Sequence, residues 1–295
     1  MSEPEATTAS ASGTIGLSNA EDDATGFGSM FQAPEGFYQA HPEEKVVVFE
    51  RKPELVDSQT GLRQVRLNLL GSHPLWGHYL WNAAKTFANY LDAHKDIVQG
   101  KSVLELGAAG GLPSLISAVN EASRVVVTDY PDPDLIENIR KTVAMNMPQK
   151  LEDRSVIVDG FKWGHEIERI QKLAPDGCDA FDVLILCDLV FNHSEHDGLL
   201  RSVSRLMKKP SVDGSGGGGG GGEAYVFFTH HRPWLADKDM QFIERAQKEL
   251  GLEAVRIVEE HTGVMFEEDP GDAKVRGTVH GFRLTYPTCP VQEIS

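Results

Sequence analysis

The stretch from residue 101 to residue 112, KSVLELGAAGGL, decides the fold of this chain. A short apolar run at residues 102–106 leads into a glycine cluster at residues 107–111. A helical pattern follows through Asn120, with Pro113 in its first turn. Proline is tolerated there, and glycines let the backbone approach a ligand closely. We therefore predict a strand, a tight turn and a helix whose first N–H groups face a bound molecule.

A second β-branched run, at residues 124–128, ends at Asp129. An acid at the end of the second strand of a nucleotide-binding unit accepts hydrogen bonds from the ribose hydroxyls. Dinucleotide folds carry G-x-G-x-x-G, whose second glycine gives room for a pyrophosphate. Ala109 stands at that position here, and Glu105 lies two residues before Gly107. The unit is therefore predicted to bind a nucleoside, and it resembles the first motif of S-adenosylmethionine-dependent methyltransferases.

The composition is typical of an enzyme with one main domain. The chain has 295 residues, of which 40% are hydrophobic, and a formal net charge of −16. Nucleic-acid binding needs a basic face, so no direct nucleic-acid contact is expected, and the acidic balance favours a basic partner. The three cysteines show no metal-ligand spacing, and no metal site is expected. Without an apolar run of membrane length or a signal-peptide pattern, no membrane contact and a cytoplasmic location are expected.

Three regions are expected along the chain. Residues 1–38 are rich in small, polar and acidic side chains, which predicts a disordered acidic tail. Residues 39–100 are predicted to form an N-terminal cap with a β-ribbon and a helix. Residues 101–295 are predicted to form the core, interrupted by a flexible glycine-rich insertion at residues 210–223.

Strands and helices alternate regularly after residue 100, which predicts a doubly wound, mostly parallel sheet of seven strands. The last two strands are joined without a helix, so an antiparallel C-terminal strand is expected. The predicted ribbon strands are residues 46–50 and 64–70, and the predicted sheet strands are residues 102–106, 124–128, 155–159, 181–187, 224–229, 253–258 and 277–285. The predicted helices are residues 80–94, 111–120, 132–147, 166–172, 194–208 and 237–250.

Ligands of doubly wound sheets bind outside the carboxyl ends of the strands, so residues that directly follow the strands are candidates. Trp163 follows the third strand of the sheet and can stack on an adenine ring, although a core tryptophan is an equally good interpretation. Cys187 closes the fourth strand. We expect it to be an apolar wall of the site and not a nucleophile.

Asp188 follows the fourth strand and faces the same crevice, where it can accept a hydrogen bond from an incoming amine. The ring face of Phe191 can contact the resulting cation. The alternative is that Asp188 caps the next helix. Asn192 and Ser194 are available as caps, so the functional interpretation is favoured.

Two adjacent histidines, His230 and His231, follow the fifth strand. Neighbouring side chains at a strand end point to opposite sides, so at most one of them can face the site. Two adjacent histidines are a poor metal pair without further ligands. We expect a surface position for at least one of them.

Five motifs in this order resemble the lysine methyltransferase group of the seven-strand, S-adenosylmethionine-dependent methyltransferases. They are HPLWG at residues 73–77, VLELGAAGGL at 103–112, TDY at 128–130, FKWG at 161–164 and LCDLVFNHS at 186–194. The likeness spans about residues 39–290. It implies an α/β class I methyltransferase fold, with a seven-stranded, mostly parallel sheet, and S-adenosylmethionine as the cofactor.

The resemblance also implies roles for single residues. Asp188 and Phe191 would frame the methyl acceptor, and Glu105 would orient the methionine end of the cofactor. The further residues that would contact the cofactor are Trp76, Gly107, Ala108, Ala109, Asp129, Trp163 and Cys187. Within the group, the likeness is to enzymes, also called nicotinamide N-methyltransferase-like, that methylate the N-terminal glycine α-amine and adjacent lysine of translation elongation factor 1-alpha. This factor is thus the expected protein partner.

Three alternatives remain open at this point. A small-molecule N-methyltransferase of the nicotinamide type has the same fold and cofactor; a closed apolar lid would favour it, and an open acidic groove would favour a protein N-terminus. A cofactor-binding module without catalysis is disfavoured because Glu105, Asp129 and Asp188 are all present. A nicotinamide-dinucleotide oxidoreductase is disfavoured by Ala109 and by the two terminal strands.

Overall fold

The computed structural model describes residues 43–56, 61–75, 77–210 and 221–287. The predicted tail and residues 211–220 of the predicted insertion lie outside them. The described strands are β1 Lys45–Glu50, β2 Gln64–Leu69, β3 Ser102–Leu106, β4 Arg124–Asp129, β5 Val156–Gly160, β6 Val183–Cys187, β7 Glu223–Thr229, β8 Glu253–His261 and β9 Thr278–Thr285. The described helices are α1 Asn82–Ala93, α2 Leu112–Val119, α3 Pro133–Asn146, α4 Pro148–Glu152, α5 Ile167–Gln171, α6 His196–Leu206, α7 Ala236–Leu250 and α8 Ala273–Arg276.

Seven strands form one sheet in the order β5-β4-β3-β6-β7-β9-β8. The strands from β3 to β7 run parallel, and β9 is antiparallel to both of its neighbours. The expectation of a mostly parallel sheet with an antiparallel C-terminal strand is therefore confirmed. In β6, Val183 and Ile185 enter one hydrophobic core, and Leu184 and Leu186 enter the other. This explains the continuous apolar run, because both faces of a central parallel strand are covered.

Helices cover both faces of the sheet. The core on one face contains residues of α1, α2 and α3, and the core on the other contains residues of α5, α6 and α7. Phe87 of α1 is fully buried, with its ring centroid 4.5 Å from that of Phe227 and 5.4 Å from that of Tyr225 in β7. The helix that follows the ribbon thus packs directly on the sheet.

The ribbon of β1 and β2 is antiparallel, with Lys45 opposite Leu69 and Glu50 opposite Gln64. It is joined to α3 by polar contacts, because the Asn68 backbone N–H donates to Thr142 Oγ1 at 2.9 Å. A buried ion pair of 2.7 Å between Arg51 and Asp92 ties the end of β1 to α1. The ribbon is therefore anchored to the same face of the sheet as α1 and α3.

Several boundaries differ from the sequence prediction. Strand β8 extends to His261, and its pairing with β9 shifts between Arg256 and Val258. Helices α4 and α8 were not predicted, because five and four residues are too short for a periodic apolar pattern. No helix in the described ranges is long and apolar enough to cross a membrane.

The start of α6 also differs. A 3-10 turn, His193–Glu195, precedes it, and α6 begins at His196 without a side-chain cap. The Ser194 hydroxyl instead donates to Asn192 Oδ1 at 3.0 Å. The expectation that these two residues cap the helix is therefore wrong.

Candidate functional site

The carboxyl ends of β3 to β7 lie along one edge of the sheet, which we call the rim. The strand order reverses between β4-β3 and β6-β7, so the crevice beside β3 is the topological switch point of the sheet. Ligands of open α/β sheets bind there. Every predicted site residue that the structure describes lies in a strand that ends at the rim or in the segment that follows one.

The glycine cluster makes a tight turn between β3 and α2. Gly107 and Gly111 have φ angles of 60° and 74°, and Ala109 adopts 49° although it carries a side chain. The Ala109 N–H donates to Asp129 Oδ2 at 2.7 Å, which stabilises this unusual backbone. A Cβ at Gly107 would lie 2.6 Å from a Leu189 methyl group and 3.0 Å from the Trp163 ring. A side chain at position 107 would therefore need both a strained φ and a displacement of Leu189, and glycine avoids both.

Asp129 closes β4 and is 8% exposed. Its Oδ2 accepts from Ala109, and its Oδ1 accepts the Tyr130 N–H at 2.7 Å. Burial raises the pKa of Asp129, and the two backbone N–H bonds oppose that shift. Each carboxylate oxygen can accept a second bond, so Asp129 can still bind a ribose diol at the rim.

Glu105 is 1% exposed in β3. Its Oε2 accepts the Ser114 N–H at 3.0 Å and also the Ser114 hydroxyl. Burial raises the pKa of Glu105 to about 8, and the two bonds from Ser114 oppose the shift. In the structure, this carboxyl group holds the first turn of α2 against β3, so a role toward the cofactor would act through the glycine turn.

Trp163 follows β5 and lies against the glycine turn, as the contact with Gly107 requires. Its Nε1 is buried, and in the described part of the chain it has no hydrogen-bond partner. Gly164 has a φ of 75°, and its N–H donates to Ser202 Oγ of α6 at 2.9 Å. The ring is thus held at the rim with an unmet N–H donor, which favours the ligand interpretation of this tryptophan.

Two of the remaining predicted cofactor residues are Cys187 and Trp76. Cys187 is 8% exposed, and burial raises the pKa of its thiol well above the usual value. It is therefore a neutral thiol suited to line a wall. Trp76 lies outside the described residues.

Asp188 follows β6 with a φ of 53°, a conformation that costs energy for a non-glycine residue and is concentrated at functional sites. Its Oδ1 accepts the Thr229 N–H at 3.0 Å and lies 3.1 Å from His231 Nε2. Its Oδ2 is buried and has no hydrogen-bond partner among the residues described here. Such an oxygen is rare in native proteins and marks a place where a ligand can bind.

Five aromatic residues, which we call the aromatic cluster, are linked to Asp188 through one of them, His231. The Trp81 ring centroid is 6.5 Å from that of Phe191, 5.1 Å from that of His231 and 6.2 Å from that of Phe266. Tyr79 joins them, with its centroid 5.7 Å from that of Trp81 and 5.0 Å from that of Phe266. The structure thus brings Phe191 together with His231, which the sequence analysis considered, and with three residues that it did not assign to the site.

The two adjacent histidines have separate positions. His231 lies 3.1 Å from Asp188 Oδ1 and belongs to the aromatic cluster, which is compatible with the expectation that at most one histidine faces the site. His230 is 7% exposed, and its Nδ1 lies 2.7 Å from Asp239 Oδ2. The His231 side chain is only 16% exposed. The expectation of a surface histidine is therefore wrong. No group of three potential metal ligands occurs in the ranges that the structure describes.

The chain is similar in sequence to known methyltransferases. A family model described as lysine methyltransferase matches residues 71–215. A Schizosaccharomyces pombe protein, named protein N-terminal and lysine N-methyltransferase efm7, is 45% identical over 270 residues, which are 91% of this chain and 98% of that protein. The Eremothecium gossypii protein of the same name is 42% identical over 269 residues, covering 90% and 97%. These relatives do not favour the small-molecule alternative.

Among solved structures, a Streptococcus mutans protein described as a SAM-dependent methyltransferase superposes with a TM-score of 0.52 at 12% identity, covering 84% of this chain and 56% of that one. This likeness concerns the fold, and it agrees with the class I methyltransferase sheet described above. The family follows from the two close relatives and from the family model. The chain belongs to the S-adenosylmethionine-dependent protein N-terminal and lysine N-methyltransferases.

Proposed function

We propose that this enzyme methylates the N-terminal glycine α-amine and the adjacent lysine of translation elongation factor 1-alpha. The names of the relatives support an N-terminal and lysine acceptor, and the motif resemblance supports the factor. The observation that carries the proposal is the unmet, buried Oδ2 of Asp188 at the rim, which suits an amine N–H. The net charge of −16 suits a basic protein segment, and a translation factor would be met in the cytoplasm.

The residues at the ends of β3, β4 and β5 fit the cofactor. The Asp129 carboxylate would accept the ribose hydroxyls, and the buried Trp163 Nε1 offers a donor that the described chain does not use. The glycine turn and Cys187 would line the remaining wall, and the sequence prediction adds Trp76. When bound, S-adenosylmethionine supplies an electrophilic methyl group on a sulfonium.

The residues at the ends of β6 and β7 would position the acceptor. Asp188 Oδ2 accepts an N–H of the amine and so directs the nitrogen lone pair toward the methyl group. The attacking nitrogen would gain the methyl group as the cofactor's carbon–sulfur bond breaks with its electron pair on sulfur, and the nitrogen proton would leave to water. His231 and the Thr229 N–H hold Oδ1 and keep the Asp188 carboxylate in one orientation.

The α-amine is the easier acceptor of the two. Its ordinary pKa of about 7.7 to 8.0 leaves part of it neutral at physiological pH, whereas a lysine near pKa 10.4 must lose a proton against a larger cost. We therefore expect the α-amine to be methylated faster at pH 7, with the lysine rate rising more steeply as the pH increases.

Mass spectrometry of elongation factor 1-alpha tests the proposal. The full chain and S-adenosylmethionine are incubated with the factor bearing a free N-terminal glycine, with an N-acetylated form and with a form whose adjacent lysine is arginine. Methyl groups are expected on both nitrogens of the first, only on the lysine of the second and only on the α-amine of the third. Absence of methylation from the first form, with cofactor binding intact, would contradict the proposed acceptor.

A further inference from the structure

The strongest unexplained feature outside the cofactor residues is the environment of Asp188 Oδ2. The Asp188 side chain is 2% exposed, so this oxygen is withdrawn from bulk solvent. Burial of a carboxylate oxygen without a donor is costly, since the protein interior provides no replacement for water. The observation therefore points to a ligand that brings a positive charge or an N–H group into this place.

The aromatic cluster, which His231 links to Asp188, comes from four separate segments of the chain. His231 connects Asp188 to the aromatic cluster, because its Nε2 bonds Oδ1 and its ring centroid lies 5.1 Å from that of Trp81 and 6.1 Å from that of Phe191. Trp81 precedes α1, and Phe266 lies in the loop between β8 and β9. The Trp81 and Phe191 rings are inclined by only 29°, so their faces are nearly parallel.

We propose that Trp81, Tyr79 and Phe266, together with Phe191 and the free oxygen of Asp188, form a binding site for a substituted ammonium. Aromatic faces attract cations through the ring quadrupole, and desolvated sites of this kind recognise methylated ammonium groups. The ligand is the acceptor amine as it arrives charged and again after it has gained methyl groups. This inference rests on the proposed function insofar as the acceptor is an amine.

A neutral aromatic substrate is the competing occupant, and the charges disfavour it. Glu267 and Glu268 directly follow Phe266 and are exposed, and with Asp188 they outnumber the positive charge of Arg232, which donates to the Phe191 carbonyl oxygen at 3.3 Å. A neutral ring would leave the charge of Asp188 uncompensated, whereas an ammonium brings a positive charge, and an N–H donor as long as it keeps a hydrogen, and contacts the ring faces at the same time. The tertiary arrangement thus fits a cation better than an apolar molecule of the same size.

The test uses two probes of nearly equal shape, choline and the neutral alcohol 3,3-dimethylbutan-1-ol. Each is titrated by saturation-transfer NMR against the full chain saturated with S-adenosylhomocysteine. Choline is expected to bind at least about tenfold more tightly than the alcohol. Trp81→Leu and Phe266→Leu should each weaken choline binding by about tenfold. Trp234→Leu is the control, because Trp234 is 56% exposed and lies outside the cluster, and it should bind choline as the wild type does.

Equal affinity for choline and the alcohol would overturn the inference and leave a merely apolar cluster. Unchanged choline binding by Trp81→Leu and Phe266→Leu would do the same. Calorimetry with S-adenosylhomocysteine identifies a misfolded variant. If Trp81→Leu is misfolded, choline binding by Phe266→Leu decides the test, because Phe266 lies in a loop. Choline is not a methyl acceptor, so these results do not depend on whether elongation factor 1-alpha is the substrate.

Discussion

The acidic side chains in the two halves of the rim differ in how their carboxylate oxygens are hydrogen-bonded. In the cofactor half, at the ends of β3 to β5, both oxygens of Asp129 accept backbone N–H bonds, and Glu105 accepts two bonds from Ser114. In the acceptor half, at the ends of β6 and β7, Asp188 has one bonded oxygen and one buried oxygen without a partner in the described residues. Glu105 and Asp129 thus hold the glycine turn and the start of α2 in shape, whereas Asp188 keeps one oxygen that we propose binds the acceptor.

The largest effect is expected for Asp188→Asn. Asparagine tolerates the positive φ of this position and keeps the side-chain size, so the backbone should be preserved. Loss of the negative charge and of one acceptor should lower kcat by about a hundredfold, which is the cost of a misplaced reacting group. Turnover of elongation factor 1-alpha measures kcat, and calorimetry with S-adenosylhomocysteine should give wild-type affinity.

The matched control is Asp197→Asn, which removes an exposed acid that pairs with Arg245. Exposed ion pairs contribute little, so both turnover and cofactor affinity should remain near wild type. Wild-type turnover by Asp188→Asn would contradict the proposed difference between the two halves of the rim.

Asp129→Asn should produce the next largest effect, and the quantity that changes should be the affinity for the cofactor. The amide can still accept from one backbone N–H, but it loses charge-assisted bonds, each of which contributes about 1.5–3 kcal/mol. The Kd for S-adenosylmethionine should therefore rise by about 10- to 100-fold, as measured by calorimetry. Asp134→Asn, an exposed acid in the first turn of α3, is the control and should bind normally. Normal cofactor affinity in Asp129→Asn would argue against a ribose contact.

A smaller effect is expected from His231, which holds Asp188 Oδ1 at 3.1 Å. His231→Leu should lower kcat by about tenfold, since one hydrogen bond to a buried carboxylate is lost. His231→Gln should recover part of that loss because its amide can donate to the same oxygen. If the leucine and glutamine variants have equal kcat values, the hydrogen bond is not what positions Asp188.

The smallest effect on activity is expected from Glu105→Gln, which instead changes the pH dependence of stability. The folded pKa of Glu105 is raised from 4.5 to about 8, so its contribution to stability is present below the lower value and is lost as the pH rises through the upper one. Urea unfolding at pH 5, 7 and 9 should show the wild type losing stability relative to Glu105→Gln. The exposed control Glu152→Gln should follow the wild type. A constant difference between wild type and Glu105→Gln would contradict this burial effect.

The sequence predicted the cofactor half of the rim better than the acceptor half. Gly107, Ala109 and Asp129 belong to one continuous strand–turn–helix–strand unit, where spacing along the chain determines which atoms meet. The aromatic cluster brings together Trp81, Phe191 and Phe266, which are far apart in the sequence. No local periodicity in the sequence reveals such a group. Its members come together only in the folded sheet, so predicting the cluster requires the strand order. For the cluster, the sequence offered one indication. Side chains alternate at a strand end, so His230 and His231 were expected to point to opposite sides.

The antiparallel direction of β9 has a consequence for how such an enzyme changes its substrate. Because β8 runs in the same direction as β7, its last residues, near His261, end at the same edge as Asp188. A hairpin then returns the chain, so residues 262–277 stay at that edge instead of crossing to the far end of the sheet as a helix would. Under the proposed function, insertions or exchanges in this hairpin would alter acceptor preference and leave the proposed nucleoside-binding residues at the ends of β3 to β5 unchanged.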